Sequence, residues 1–156
     1  MTGTGQDTSG ISFPPPLIFG AGFLAGYALQ LAVPLSLPAW PPGRPVGWTL
    51  VALGVVLMGS AVVTFRRAGT TPNPTKPATT VVVHGPYRFT RNPMYLGWVM
   101  VYVGAVLLTH WIWPLVLLPL VVFLVRTRVI AREEAYLERA FGDAYRAYRA
   151  RVRRWL

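Results

Sequence analysis

The residues best suited to chemistry lie in one polar segment, residues 84–97, which is set between long apolar runs. Hydroxyl, guanidinium and amide groups follow one another closely in it, on Tyr87, Arg88, Arg91, Asn92 and Tyr95. Pro86 and Pro93 fix two φ angles and push the residues before them toward extended conformations, so one regular helix is not expected. Irregular backbone beside membrane-length apolar runs must be buried in protein or line a watery cavity, because lipid offers no hydrogen-bond partners. The segment therefore predicts a binding cavity.

The second group of candidates is the paired acid Glu133-Glu134, and three of the five acidic residues of the chain lie within residues 133–138. Two interpretations are open. The acids neutralise neighbouring arginines and favour a helix N-terminus, or one of them lodges against the polar segment and accepts hydrogen bonds from a cationic or hydroxyl-bearing ligand. Arg88 and Arg91 are likewise either membrane-boundary arginines or partners of the glutamates or of an anionic substrate group.

Several kinds of site are excluded or disfavoured by the residues present. The chain has no cysteine, which excludes disulfides, thiolate metal sites and cysteine nucleophiles. His84 and His110 are far apart and lack acidic companions, so no metal site is expected. No glycine-rich dinucleotide motif, phosphate-binding loop or Ser/His/Asp set is found. The usual soluble dinucleotide-binding fold is therefore not available to this chain.

The composition is that of an integral membrane protein. The chain has 156 residues, of which 53% are hydrophobic and 13% charged, and its mean hydropathy is +0.44. These values suit a single domain that is too apolar for an ordinary soluble fold. The net charge is +10, and nine of the fifteen Lys and Arg residues lie from Arg126 onward. Basic residues beside membrane spans are typical of the cytoplasmic side and attract anionic lipid headgroups, so this interpretation is favoured over nucleic-acid binding.

An all-α polytopic bundle of about four transmembrane helices is predicted. Residues 1–12 form a disordered tail, and residues 13–66 hold the first two helices, at 14–35 and 46–65. Residues 94–125 form a helical hairpin whose turn lies near residues 109–114. Gly22 and Gly26 predict close packing against another helix of the chain, with a dimer contact as the alternative. Arg66-Arg67 and the later arginines place both termini in the cytoplasm, and we expect a bacterial inner membrane.

From Ile130 onward the pattern becomes that of an amphipathic, interfacial helix. Its apolar line falls at steps of three and four residues, at Glu134, Leu137, Phe141, Tyr145, Tyr148, Val152 and Trp155. Gly142-Asp143 predicts a break or kink, because glycine favours a helix end and aspartate a new N-cap. Upstream, residues 68–78 cannot form regular helix, and residues 79–83 are predicted to be extended chain.

Three groups of residues in this order and spacing form a specific pattern that covers about residues 81–152. The groups are Gly85-Pro86-Tyr87, then Arg91-Asn92-Pro93-Met94-Tyr95-Leu96-Gly97, then Glu133-Glu134 with Leu137, Phe141, Gly142, Tyr145 and Tyr148. The pattern resembles the isoprenylcysteine carboxyl methyltransferase family and the related phospholipid methyltransferases. Members of these families are integral membrane enzymes that use S-adenosylmethionine without a Rossmann domain, so the resemblance implies a methyltransferase-like catalytic region at residues 67–156.

The resemblance also implies a set of site residues. The implied cofactor residues are Thr79, Thr80, Val81, Val82, His84, Gly85, Tyr87, Arg91, Asn92, Pro93, Met94, Tyr95 and Glu133. In relatives an arginine shortly before the paired acids contacts substrate, which here implies Arg128 or Arg132 beside Glu133 and Glu134. The prenylcysteine branch commonly has histidine at the position of Asn92, and this difference weakens the case for a prenylcysteine substrate.

The sequence thus predicts an S-adenosylmethionine-dependent methyltransferase that acts on a lipid-like or small hydrophobic acceptor. Displacement at a sulfonium needs positioning and charge complementarity more than an activated nucleophile. Glu133 suits the cationic part of the cofactor and Tyr87 its adenine, and Glu134 is a proton acceptor if the acceptor is an amine. The alternatives are an NADPH-dependent reductase of the sterol reductase type, which has a similar Arg-Asn-Pro-x-Tyr pattern but usually a longer chain, and a non-enzymatic membrane scaffold.

Overall fold

The structure, a computed structural model, describes residues 14–38, 40–71 and 78–156, and the predicted tail at residues 1–12 lies outside them. The described part of the chain is helical and contains no strand beyond one isolated bridge between Ser36 and Trp111. The helices are α1 (Pro16–Ala32), α2 (Gly43–Arg67), α3 (Pro93–Thr109), α4 (Ile112–Leu124), α5 (Ala131–Phe141) and α6 (Asp143–Arg151). A 3₁₀ turn spans Gly85–Arg88, and a π-helical segment, Val125–Ile130, joins α4 to α5.

Within the described ranges, two helical stretches are long and apolar enough to cross a membrane: α2, and the continuous run Ile112–Phe141. Helices α1 and α3 are shorter apolar helices of 17 residues each. Large apolar side chains such as Leu24, Val56 and Phe123 are exposed on α1, α2 and α4. Exposed apolar surface of this kind is what a lipid-facing helix bundle requires. The prediction of a helical membrane bundle is confirmed in this general form.

The predicted hairpin is confirmed. Helix α3 ends at Thr109, His110 adopts a left-handed conformation with φ of 59°, and α4 begins at Ile112. The second arm does not end near Val125, because the π-helical segment carries the helix on to Phe141. A π turn holds one extra residue, which rotates the residues after it by about 100° relative to an uninterrupted α-helix. The segment thereby sets which face of α5 carries Glu133 and Glu134.

The α2 helix begins at Gly43, three residues earlier than the predicted second span. The helix therefore takes in the last residues before the predicted start of this span. Pro42 occupies the N-cap and Pro45 lies in the first turn. Proline is tolerated there because the first backbone N–H groups of a helix have no intrahelical partner.

Helix α1 packs against α4 through the two glycines at GxxxG spacing. A Cβ built on Gly26 would lie 2.6 Å from the Cα of Pro114, and one on Gly22 would meet the side chain of Val121. The predicted packing within the chain is therefore confirmed. The phenolic O–H of Tyr102 on α3 donates to the carbonyl of Pro114 at 2.9 Å, which ties the hairpin to this contact.

A second seam of glycines joins α2 to α3. A Cβ on Gly54 would lie 2.6 Å from the carbonyl oxygen of Gly97, and one on Gly104 would lie 2.7 Å from that of Gly47. The two glycines of each helix are seven residues apart, so they fall on one face. The seam thus packs α3 closely against α2.

Gly54→Ala is expected to destabilise the protein by about 1–3 kcal/mol, because the added methyl group has no room at this seam. Gly59 lies on the same helix, and a methyl group added to it would have no atom within 4 Å. Gly59→Ala is therefore the matched control, and it should leave stability unchanged or raise it by up to about 1 kcal/mol. The unfolding temperatures of both variants are measured in detergent. Equal unfolding temperatures would contradict the close packing of α2 against α3 at Gly54.

The chain breaks at Gly142, as predicted. Gly142 has φ of 52°, and α5 ends before it while α6 begins at Asp143. The apolar line of α5 and α6 packs on the segment before α3: Tyr145 and Tyr148 are buried in one cluster with Val82 and Tyr87, and Leu137, Phe141 and Val152 lie against it. The apolar face of this region is thus covered by the protein itself. Its interfacial position relative to a bilayer stays a prediction.

Candidate active site

The 3₁₀ turn Gly85–Arg88 begins the site. Gly85 has φ of 57°, and a Cβ there would lie 2.7 Å from Oγ1 of Thr64 on α2, so glycine is required both for conformation and for space. The ring of Tyr87 is buried edge-on against Phe65 with centroids 5.2 Å apart. Burial, with the nearby carboxyl of Glu133 and the phenol of Tyr148, raises the pKa of Tyr87 well above its usual range. Its hydroxyl is therefore a neutral hydrogen-bonding group.

Tyr95 and Glu133 connect the polar segment to the paired acids. Pro93 occupies the first turn of α3, where it costs no hydrogen bond, and places Tyr95 on the second position after it. The Tyr95 hydroxyl donates to Oε1 of Glu133 at 2.7 Å. The two residues are 38 positions apart. The predicted meeting of the polar segment with one acid of the pair is thus present.

Glu134 lies between two arginines. Arg154 binds Glu134 in a bidentate manner: its Nε donates to Oε1 at 3.0 Å and its Nη2 donates to Oε2. Nη1 of Arg91 lies 3.1 Å from Oε1, and the side chains of Arg91 and Glu134 are each only 10% exposed. The sequence-based pairing of Arg91 with the acids is confirmed, whereas the guanidinium of Arg88 lies over the exposed ring of Phe89.

The segment after α6 binds the polar segment through its main chain. The carbonyl oxygen of Arg154 accepts from Oγ1 of Thr90 at 3.0 Å and from Nδ2 of Asn92 at 2.9 Å. The backbone N–H of Arg91 donates to the carbonyl of Arg153 at 2.9 Å. The sequence analysis missed this role of Arg153 and Arg154. They stand in a run of arginines, and nothing in that run distinguishes a site residue from a surface one.

The structure places the remaining predicted site residues in different surroundings. Val82, Asn92 and Pro93 are buried, while Val81, Met94, Arg91, Tyr95 and Glu133 are partly buried. Thr79 and Thr80 are exposed, and Oγ1 of Thr79 donates to the carbonyl of Gly69 at 3.2 Å. Arg128 and Arg132 are both exposed, on the π-helical segment and on α5. The direct side-chain contacts between predicted site residues are therefore Tyr95 with Glu133 and Arg91 with Glu134.

An open cavity of about 540 Å³ lies beside the 3₁₀ turn. Its lining residues are Val83, His84, Gly85, Arg88, Tyr148, Arg151 and Val152. Two of the predicted cofactor residues, His84 and Gly85, are among them, but the two glutamates are not. Burial raises the pKa of the Tyr148 phenol, whose hydroxyl donates to the carbonyl of Tyr87 at 2.8 Å and so joins the cavity wall to the turn.

The donor set fits S-adenosylmethionine, which carries a cationic sulfonium, an ammonium, a carboxylate and an adenine ring. The carboxyl of Glu133 suits the cationic groups, and the rings of Tyr87 and Phe65 suit an aromatic base. Nη1 of Arg91 lies 3.1 Å from Oε1 of Glu134, and its buried Nε has no hydrogen-bond acceptor among residues 14–38, 40–71 and 78–156. The Nε–H group suits one oxygen of a carboxylate. No group of three His, Asp or Glu side chains in the described ranges is arranged to hold a metal ion.

Comparisons with known proteins give one family and one short match. The model of the phospholipid methyltransferase family matches residues 44–144, which include the polar segment and the paired glutamates. An uncharacterized protein of Haemophilus influenzae is 70% identical over 27 residues, which cover 17% of this chain and 43% of that protein. The match thus covers less than half of the relative. No solved structure matches the chain significantly.

Proposed function

Because the chain belongs to the phospholipid methyltransferase family, and is thus a membrane methyltransferase, we propose that it transfers a methyl group from S-adenosylmethionine to a lipid-like or small hydrophobic acceptor. The observation that carries the proposal is the hydrogen bond between Tyr95 and Glu133. It joins the polar segment, which also carries the Arg91 guanidinium, to the paired acids. In this proposal the Glu133 carboxyl complements a cationic group of the ligand, and Arg91 complements its carboxylate.

In this proposal, the residues of the chain bind the cofactor and the acceptor and orient them for methyl transfer. The bound cofactor supplies a methyl group on a positively charged sulfur. Glu133, held by the Tyr95 hydroxyl, offsets positive charge, and Arg91 takes an anionic group. The tyrosines on the 3₁₀ turn and on α6 cover the site and exclude water. Arg128 and Arg132, both exposed beside the paired acids, remain the candidates for contact with the acceptor.

The two glutamates have different roles in this proposal. Both oxygens of Glu134 are engaged by Arg154, and Arg91 lies against one of them. A carboxylate held in this way is a weak proton acceptor, because its two positive partners stabilise the charged form. Glu133 instead accepts a hydrogen bond from the neutral hydroxyl of Tyr95, and it is the better candidate to accept a proton from an amine acceptor. Glu134 instead holds the two arginines in place.

Calorimetric titration of the purified protein in detergent tests the proposed cofactor. We expect S-adenosylhomocysteine to bind and NADPH not to bind. Binding of NADPH alone would support a membrane reductase, and binding of neither would support a non-enzymatic scaffold. Transfer of radiolabelled methyl groups into a total lipid extract then identifies the class of acceptor.

The proposal includes a bacterial inner-membrane location with both termini in the cytoplasm. It is supported by the arginines at the end of α2 and along α5 and α6. Because the chain has no cysteine, single-cysteine variants report orientation cleanly. We expect a membrane-impermeant thiol reagent added to intact cells to label Ser36→Cys, in the loop after α1, and to leave Ala144→Cys on α6 unlabelled. The reverse pattern would contradict this orientation.

A further inference from the structure

The open cavity beside the 3₁₀ turn has a positively charged wall that the proposed function does not use. Arg88 from the turn and Arg151 from the end of α6 both line it, and no acidic side chain of the described ranges is among its lining residues. Neither arginine forms an ion pair within residues 14–38, 40–71 and 78–156. Arg151 donates from Nε to the carbonyl of Ala147 at 3.3 Å, which places no negative charge beside it. The positive charge of this wall is therefore available to a ligand.

The cavity lies at the end of a membrane-length helix. A Cβ on Gly85 would lie 2.7 Å from Oγ1 of Thr64, and the ring of Tyr87 packs on Phe65, so the 3₁₀ turn contacts the last turn of α2. Helix α2 is long and apolar enough to cross a membrane, and it ends at the exposed pair Arg66-Arg67. Arginines that follow an apolar span mark the level of the lipid headgroups. The cavity is therefore expected at headgroup depth.

An exposed aromatic residue supports this depth. Phe89 follows Arg88 directly and is 70% exposed, and the Arg88 guanidinium lies 5.9 Å from the centre of its ring. An aromatic ring beside a cationic side chain suits the boundary of a bilayer, where the ring contacts acyl chains and the cation stays among the headgroups. This boundary position gives the exposed ring an apolar neighbour that water does not provide.

The lining of the cavity suits a phospholipid headgroup better than a bare anion. Guanidinium groups bind phosphate oxygens in a bidentate manner, and two of them are present. Val83 and Val152 add apolar surface to the same wall, which suits the carbon atoms beside a lipid phosphate. The volume of about 540 Å³ is also far larger than a single phosphate group requires. Charge and shape together favour a phosphate that carries an organic group on each side.

We infer that this cavity is a docking site for the headgroup of an anionic phospholipid, and that Arg88 and Arg151 bind its phosphate. The lipid is a partner of the protein at the membrane surface and not the methyl acceptor, because neither Tyr95 nor the paired glutamates line the cavity. The cavity is built from both the 3₁₀ turn and α6. A lipid bound there therefore holds these two elements together and stabilises the folded protein.

The test measures the binding of short-chain lipids to the purified protein in neutral detergent. Dihexanoyl phosphatidylglycerol is the anionic probe, and dihexanoyl phosphatidylcholine, which has the same chains and no net charge, is the reference. The wild-type protein should prefer the anionic lipid and gain thermal stability from it. Arg88→Met/Arg151→Met should bind the anionic lipid about thirtyfold more weakly, because each basic residue near an anionic surface contributes about fivefold in affinity. Its affinity for phosphatidylcholine should change much less.

The matched control is Arg146→Met/Arg149→Met. It removes the same number of positive charges from exposed positions on α6 that do not line the cavity. This variant should keep the preference for phosphatidylglycerol. Equal losses in the two double variants would show that affinity follows net charge alone, and the inference would then be wrong. Arg88→Lys/Arg151→Lys should retain part of the preference, because it keeps the charge and loses the bidentate geometry.

Two further ligands separate the lipid from other occupants. Glycerol 3-phosphate, which has no acyl chains, should not displace phosphatidylglycerol when both are at the same concentration. Displacement would show that the cavity takes a soluble phosphate ester and would contradict a lipid site.

S-adenosylhomocysteine should bind Arg88→Met/Arg151→Met as tightly as it binds the wild type. If its affinity falls as much as that of the lipid, the cavity belongs to the cofactor site and the inference is wrong. If the wild type binds no S-adenosylhomocysteine, the proposed function fails, and the lipid comparison still decides this inference.

Discussion

Glu133→Gln is expected to weaken binding of S-adenosylhomocysteine by about tenfold to hundredfold and to lower methyl transfer at least as much. The substitution keeps the size of the side chain and an oxygen for the Tyr95 hydroxyl, so the fold should be retained. What it removes is the negative charge that complements the cationic part of the cofactor. Because a sulfonium cofactor is more positive than its thioether product, the loss should be larger for S-adenosylmethionine than for S-adenosylhomocysteine.

The matched control for this prediction is Glu138→Gln on the same helix. The Glu138 side chain is 36% exposed and pairs with Arg146 and Arg149 at the surface. Exposed pairs contribute only about 0–1 kcal/mol, so this variant should bind the cofactor as the wild type does. Calorimetric affinities of the two variants compare them directly. If Glu133→Gln and Glu138→Gln bind S-adenosylhomocysteine with equal affinity, Glu133 is not part of the cofactor site.

Glu134→Leu is expected to cause the largest loss of stability among single substitutions at the site, about 3–5 kcal/mol. It leaves Arg91 and Arg154 facing each other without the carboxylate between them, and the Arg91 side chain is only 10% exposed. It also weakens the attachment of the segment after α6, because the side-chain half of the Arg154 contact is lost. The unfolding temperature and the midpoint of chemical denaturation in detergent measure the effect.

A milder partner variant separates charge from packing at this position. Glu134→Gln keeps the shape of the side chain and loses only its charge, so it should also destabilise, although less than leucine does. If both variants unfold at the temperature of the wild type, the triad does not stabilise the fold. Under that outcome the main-chain contacts of Arg153 and Arg154 would alone hold the polar segment.

The features predicted correctly from the sequence have strong local signals. The hairpin turn was indicated by the aromatic and proline residues at 109–114, and the break at Gly142 by a glycine followed by an aspartate. The GxxxG spacing of Gly22 and Gly26 indicated close packing. Each of these depends on residues that are near one another in the chain. Family-like spacing also predicted that the polar segment meets Glu133-Glu134, and Tyr95 does contact Glu133, whereas their sharing one cofactor site stays a prediction.

The features that were missed depend on contacts between distant residues. Arg154 reaches Glu134 from 20 positions away and binds Thr90 and Asn92 from more than 60 away. The glycine seam between α2 and α3 needs the register of two helices, which a single sequence does not supply. The π-helical segment Val125–Ile130 has no simple sequence signal, since its residues are equally compatible with an α-helix.

Glu133 and Glu134 have different partners in the structure, which the sequence did not predict. Adjacent glutamates on a helix point in different directions, about 100° apart. Here one meets the hydroxyl of Tyr95 and the other meets two guanidinium groups. A sequence alone does not reveal which neighbour each will have. The chemistry of the pair therefore depends on the rotation that the π-helical segment gives to α5.

Hydrogen–deuterium exchange of the wild-type protein, with and without S-adenosylhomocysteine, tests the central claim most directly. If the polar segment and the paired glutamates form one cofactor site, the ligand should slow exchange in peptides from residues 84–92 and from residues 131–138 together, with the same dependence on ligand concentration. Slower exchange in only one of these two regions, at saturating ligand, would contradict a shared site.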